Sequence, residues 1–294
     1  MTHAHANNYR IERKPRLAND ELTAVKELAA LCNAHEGLDL KLTLDPIPGK
    51  DPEAPRVFLA RADGAVVGFS ALDGAGRREV EVCGMVHPEH RRRGIATVLL
   101  QAAAEEAKRQ GSERMLLICE DASVSGQGFV RHLGLARGFT EQRMEAASPP
   151  ASPTERLLLR AADHTDAELI DRVVTAAFGE LPGSRLYDIL VDLATPSQRF
   201  YLAFLDGKAV GALKVYYEAP KAYIYGFGVL PDYRRHGYGR EFAARIIRQL
   251  MADGWAPVGL EVDSENTPAY MLYRSLGFRE ITAYGYYALE LARI

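Results

Sequence analysis

Short runs of alternating apolar and polar residues, separated by stretches of helical period, fill most of the chain. From residue 199, RFYLAFL and AVGALKVYY are alternating runs joined at Asp206-Gly207, the signature of a tight hairpin turn. Around them, LLLRAA (157–162) reads as a strand, TDAELIDRVVTAAF (165–178) as a helix and SRLYDILVDL (184–193) as a shorter helix. AYIYGFGVL (222–230) and PVGLEVD (257–263) read as strands, with a long helix over roughly 237–253 between them. TPAYMLYRSLG (267–277) predicts a last helix and FREITAYGYYALEL (278–291) the closing strand structure. Hairpins mixed with helical crossovers imply an α+β fold with a mixed, mostly antiparallel sheet flanked by helices.

The pattern occurs twice. Leu59 and Leu202, Asp63 and Asp206, Gly64 and Gly207, Gly68 and Gly211 are each 143 residues apart, and so are Val86 and Val229, Pro88 and Pro231, Arg91 and Arg234, Gly94 and Gly237. A register held over some forty residues is the mark of an internal repeat. Gly138-Phe139 and Gly277-Phe278 are offset by 139, so the first copy carries about four extra residues before that point. ASPPASPTE (147–155) has linker composition. The expected division is residues 1–148, a linker at 149–155, and residues 156–294.

In each copy a strand runs through a turn at His87-Pro88 or Leu230-Pro231 into R-x-x-G-x-A or R-x-x-G-x-G and then a helix. Glycine leaves no side chain between the backbone and an approaching group, and a helix start offers unpaired N–H groups with the positive end of the dipole. That combination suits phosphate, with Arg92 and Arg93, or Arg235, supplying charge.

Both halves resemble the GNAT superfamily of acetyl-CoA-dependent N-acyltransferases. The resemblance is carried by V-x-P-x-x-R-x-x-G-x-[GA] at Val86–Ala96 and Val229–Gly239, and by N-x-x-A-x-x-L-Y-x-x-x-G-F at Asn266, Ala269, Leu272, Tyr273, Gly277 and Phe278. It implies tandem GNAT domains in which acetyl-CoA is the cosubstrate; no metal is expected, since no metal-ligand spacing appears in the sequence. The implied coenzyme contacts are Met85, Val86, Arg91, Arg92, Arg93, Gly94, Ile95 and Ala96 in the first copy. In the second they are Phe227, Gly228, Val229, Arg234, Arg235, His236, Gly237, Tyr238, Gly239 and Asn266, with the splayed strand before the loop lining the pantetheine.

The resemblance also implies that Tyr273 protonates the departing thiolate, a fitting role because phenol and alkyl thiol have comparable ordinary pKa values. The first copy has no Asn and no Leu-Tyr in CEDASVSGQGFVRHLGLARGF, so the carboxy-terminal copy is the expected catalyst. An amine acceptor must also lose a proton before attack. Glu218, Glu261 and Asp263 are the acids available for this in the second copy, while Glu79 and Glu81 in the first keep the reverse assignment open. Glu180, Asp188, Tyr223 and Tyr225 are the candidate acceptor contacts.

A net charge of −3 and 47% hydrophobic residues argue against a polyanionic nucleic-acid partner or a membrane-surface partner. The start of the sequence lacks a signal-like apolar stretch, so a cytoplasmic location is expected. Cys32, Cys83 and Cys119 have no metal or disulfide spacing. The expected activity is transfer of acetyl from acetyl-CoA to a primary amine of a small molecule by direct attack in a ternary complex, by a monomer or homodimer. A coenzyme-sensing regulatory or scaffold protein, and an aminoacyl or longer-chain acyltransferase, are the alternatives.

Overall fold

The computed structural model describes residues 9–46, 51–151 and 154–293. Two residues of the expected linker, 152 and 153, lie outside the described residues. The first half runs β1 (Arg10–Lys14), α1 (Asn19–Glu36), β2 (Val57–Ala62), β3 (Ala65–Asp73), β4 (Glu79–Val86), α2 (Ile95–Arg109), β5 (Arg114–Glu120), α3 (Val124–His132) and β6 (Arg137–Ala146). The second runs β7 (Leu158–Ala161), α4 (Ala167–Phe178), α5 (Leu186–Ala194), β8 (Gln198–Leu205), β9 (Lys208–Glu218), β10 (Lys221–Val229), α6 (Tyr238–Ala252), β11 (Val258–Asp263), α7 (Thr267–Ser275) and β12 (Arg279–Glu290).

Two compact units result, one of Met1–Glu141 with Thr282–Ile294 and one of Gln142–Ile281. In the first, the strand order is β1-β2-β3-β4-β5-β12, with β4 and β5 parallel and the other neighbours antiparallel. The chain's last strand therefore completes the first unit's sheet, pairing Tyr284 with Glu120 through Glu290 with Arg114. In the second unit the order is β6-β11-β10-β9-β8-β7, where β6 contributes its later residues and β10 and β11 are the parallel pair.

Each sheet is covered on both faces. In the first unit α1 packs Val25, Leu28 and Cys32 on Leu59, Phe69 and Met85. The opposite face packs Val80, Val82 and Met115 on Leu99 and Ala103 of α2. In the second, α4 and α5 cover Phe200, Leu202 and Ala212, while α6 covers Leu213, Ile224 and Leu260. Phe242, Ile246 and Leu250 recur at four-residue spacing on α6 and are at most 1% exposed. Burial of each stabilises the unit by roughly 2 kcal/mol.

The hairpin turns repeat in backbone detail. Asp63 and Asp206 both have φ of 49°, followed by Gly64 at 85° and Gly207 at 78°. Two successive left-handed residues are what a type I′ hairpin requires.

The feature that positions the site is a parting of the parallel strands. β4 and β5 pair from Glu79↔Arg114 only to Val82↔Leu117, although β4 continues to Val86. β10 and β11 likewise pair only from Ala222↔Val258 to Ile224↔Leu260, although β10 continues to Val229. β10 also bulges between Tyr225 and Gly228, where its register on β9 shifts and Gly226 takes φ of 56°. β4 keeps regular register on β3 throughout.

Candidate active site

The two R-x-x-G loops have the same backbone. Arg92 and Arg235 sit at φ of 62° and 65°, and Gly94 and Gly237 at 83° and 84°. Both glycines cap the following helix in the left-handed conformation. Each first helical turn leaves N–H groups without intrahelical acceptors, the first such bonds running from Val98 to Gly94 O and from Glu241 to Gly237 O. A Cβ placed on Gly94 meets nothing within 4 Å, so the first loop opens onto a cradle. A Cβ on Gly239 would make ordinary contacts of 3.6 Å or more, which is why alanine serves at the matching Ala96. Both loops thus fit a diphosphate: N–H donors, a helix start and exposed Arg92, Arg93 and Arg235. Backbone groups of the parted strands, Met85 and Val86 or Phe227 to Val229, fit an extended amide-bearing arm beside them.

The leading arginine of each motif does other work. Arg91 donates from Nε to Val86 O at 3.0 Å and ion-pairs with Glu36. Arg234 donates from Nε to Val229 O at 2.9 Å and from Nη2 to Ala177 O. These two guanidinium groups are folded back to brace their own strands, which removes them from the cradle despite their place in the motif.

The first unit contains a cavity of about 820 Å³ running along the parting of β4 and β5, lined by Cys83, Met85, Gly94, Ile95, Glu120 and Val130, among others. Ser123 caps α3 and Asn266 caps α7, accepting from Gly126 N at 3.0 Å and Ala269 N at 3.3 Å. These caps are again 143 residues apart, and the bonds from Gly134 N to Arg131 O and from Leu135 N to Val130 O repeat those from Gly277 N to Arg274 O and from Phe278 N to Tyr273 O. Val130 therefore matches Tyr273, Gly134-Leu135 rather than Gly138-Phe139 matches Gly277-Phe278, and the four extra residues expected before that point are not there. All three cysteines line this cavity, and burial raises each thiol, Cys83 to about 11 and Cys119 to about 12, which makes them poor nucleophiles. On the α1 side of the sheet, Lys41 donates to Glu141 at 3.0 Å and to the Tyr286 hydroxyl at 2.6 Å, an internally satisfied set that includes a strand from the far end of the chain.

In the second unit Tyr273 is 8% exposed, and its ring lies 6.5 Å from that of Phe227 on the bulge and 5.8 Å from that of Phe278. Burial pushes its phenol up to about 12, and its hydroxyl has no hydrogen-bond partner among the described residues. Glu261 is the first residue of β11 past its last pair with β10. A Cβ on Gly259 would lie 2.6 Å from the Tyr223 ring, so alternation puts Glu261 on the face of Tyr223 and Tyr225. Glu218 is not brought there: it is exposed and pairs with Lys221 at the opposite end of β10, roughly 25 Å of strand from Val229.

Among the acceptor candidates, the Tyr223 hydroxyl accepts from Arg143 Nη2 at 2.6 Å. Tyr225 lies under Lys214, whose Nζ is 5.9 Å from the ring centroid. Glu180 is held by Arg185 at 2.5 and 2.6 Å, which keeps its carboxyl below the usual range, while half-buried Asp188 lies in the first turn of α5. Phe178 at the end of α4, Leu181 on the connection and Tyr187 in the first turn of α5 stand exposed beside them. Sequence reading passed over Glu36, Glu120 and Arg156, which lie outside both motifs.

Comparison with known proteins gives the family and the fold. The profile of the acetyltransferase (GNAT) family matches residues 22–135 and again 167–278. The mycothiol acetyltransferase of Thermomonospora curvata is 28% identical over 278 residues, covering 89% of this chain and 91% of that protein. That of Saccharomonospora viridis is 28% identical over 267 residues, covering 80% and 84%. Among solved structures, a GCN5-related N-acetyltransferase from Sphaerobacter thermophilus aligns with a TM-score of 0.77 at 21% identity, covering 97% of this chain and 96% of that one. A tandem GNAT protein from the clavulanic acid biosynthesis pathway aligns at 0.67 and 19%, covering 96% and 98%.

Proposed function

The chain belongs to the GNAT acetyltransferase family, matched once in each half, and from that premise we propose that it moves acetyl from acetyl-CoA to a primary amine of a small molecule, with the chemistry in the second unit. The observation that carries this reading is Tyr273: a buried phenol whose hydroxyl has no partner among the described residues, packed on the bulged strand, where the first copy has Val130.

The coenzyme supplies the activated acetyl and a thiolate leaving group. Around it, the helix-start N–H groups of Tyr238 and Gly239, with Arg235, bind the diphosphate. The unpaired edge of Phe227–Val229 orients the pantetheine arm. Glu261, on the Tyr223 and Tyr225 face beside the parting, takes the ammonium proton directly or through a water. Tyr273 Oη gives its proton to the departing sulfur, and its raised pKa keeps that proton in place until the thiolate forms. The proposed acceptor is a small amine, and the relatives the chain is similar to are named mycothiol acetyltransferases.

The first unit keeps a loop, a parting and a large cavity but lacks the phenol. Its proposed role is to hold the coenzyme without turnover. Thiol release from acetyl-CoA is to be followed across a panel of amino-sugar thiols, aminoglycosides and polyamines. Amine-dependent release with a product 42 Da heavier, about the mass of an added acetyl, supports the proposal; binding of acetyl-CoA with no release across the panel opposes it.

A further inference from the structure

We infer that Arg156 is a diphosphate ligand of the second loop, supplied from outside the R-x-x-G-x-G motif; this rests on the coenzyme reading above. The starting observation is a difference in charge. The first loop reads Arg91-Arg92-Arg93 and the second Arg234-Arg235-His236. With Arg91 and Arg234 folded onto their own strands, the first loop keeps two outward cations and the second keeps one. His236 does not restore the balance: its Nδ1 is 2.7 Å from the Arg234 carbonyl oxygen, turned back to the loop's own backbone.

Arg156 stands where the missing cation belongs. It precedes β7, and its Nη1 donates to His236 O at 3.1 Å. The guanidinium stacks over the Tyr238 ring, 4.6 Å from the centroid. Its Nη2 lies 3.2 Å from the point a Cβ on Gly237 would occupy and has no hydrogen-bond partner among the described residues. Nη1 is thus tied to the loop while Nη2 faces the glycine of the cradle.

The tie is strong enough to pre-position it. Arg156 Nε donates at 3.1 Å to Oε2 of Glu241, which is 2% exposed in the first turn of α6. The same carboxylate accepts Leu157 N–H at 2.7 Å and the Thr154 hydroxyl at 3.1 Å, so the segment before β7 is pinned to the loop. A planar guanidinium held in this way forms charge-assisted bonds to phosphate with little further ordering. The first unit has a matching arrangement with different chemistry: Tyr9, just before β1, accepts from Arg93 Nη1 at 3.3 Å. There the motif carries the cation and the preceding residue orients it; in the second unit the preceding residue is itself the cation.

Service to Glu241 alone would be a different role, and Arg245 separates the two. Its Nη1 is 3.7 Å from Glu241 Oε1 and donates to Leu157 O at 2.6 Å, with no bond to the loop. The test titrates coenzyme A and dephospho-coenzyme A calorimetrically into the full chain carrying Gly94→Glu to close the first loop, alone and with Arg156→Gln or Arg245→Gln added. Unfolding midpoints without ligand confirm that each is folded. Arg156→Gln is expected to weaken both ligands about ten- to a hundred-fold, the usual loss for a charged hydrogen bond. Arg245→Gln is expected to stay within about two-fold, since it makes no anion contact. Equal losses in the two variants, unchanged affinity in Arg156→Gln, or a loss confined to coenzyme A would overturn the assignment to the diphosphate. No binding by the Gly94→Glu parent would overturn the coenzyme reading of the second loop, and this inference with it.

Discussion

The rings of Phe227 and Tyr273 lie with centroids 6.5 Å apart, which joins the bulge in β10 to α7 at the place where β10 leaves β11. The proposed proton donor is thereby held against the strand that lines the proposed thioester arm. In the first unit β4 keeps regular register on β3 and Val130 stands at the tyrosine's position, so the phenol and the bulge it packs on are absent together.

Tyr273→Phe removes only the hydroxyl. It is expected to lower kcat by about 100-fold or more, within the range for loss of a general acid, while calorimetric affinity for acetyl-CoA stays within about two-fold. Unchanged turnover takes Tyr273 out of the mechanism.

The raised phenol also fixes the sign of a pH effect. Burial places the folded-state value at about 12 against an ordinary 10.0. Stability from the neutral phenol is fully present below pH 10 and is lost as pH rises through about 12, by roughly 2 to 3 kcal/mol at the limit. Denaturant unfolding at pH 9 and near pH 12 should show a larger fall for the wild type than for Tyr273→Phe. Turnover should rise as the acceptor amine deprotonates, without a falling limb from Tyr273 below about pH 11.

Gly228 is required by packing. An added Cβ would lie 2.7 Å from the Ala177 Cβ at the end of α4, on the face of β10 away from α6. Gly228→Ala is expected to cost about 1 to 3 kcal/mol in denaturant unfolding. Adding Ala177→Gly should recover part of that loss in a double-mutant cycle; additivity would deny the contact.

What could be read in the sequence was whatever local chemistry decides. The Asp-Gly turns, the glycine at each helix start and the Asn266 cap are fixed by a few adjacent residues, and each lies where the 143-residue register puts it. The membership of the last strand was not legible. Tyr284, Tyr286 and Tyr287 suit either sheet, since alternation fixes which face a side chain takes but not which strand it pairs with. The motif arginines show the same limit: Arg91 and Arg92 are neighbours, yet positive φ at Arg92 sends one to the strand and the other outward. Arg156 carried no periodic signal, and the one sequence feature that bears on its proposed role is His236 at the position matching Arg93.

The division of labour between the copies is tested most directly by closing each loop in turn and measuring amine-dependent thiol release from acetyl-CoA. Gly237→Glu puts bulk and negative charge in the second cradle and is expected to abolish release. Gly94→Glu, at the equivalent left-handed position of the first, is expected to leave most of it. Retained release in Gly237→Glu with loss in Gly94→Glu would contradict the account and move the chemistry to the first unit.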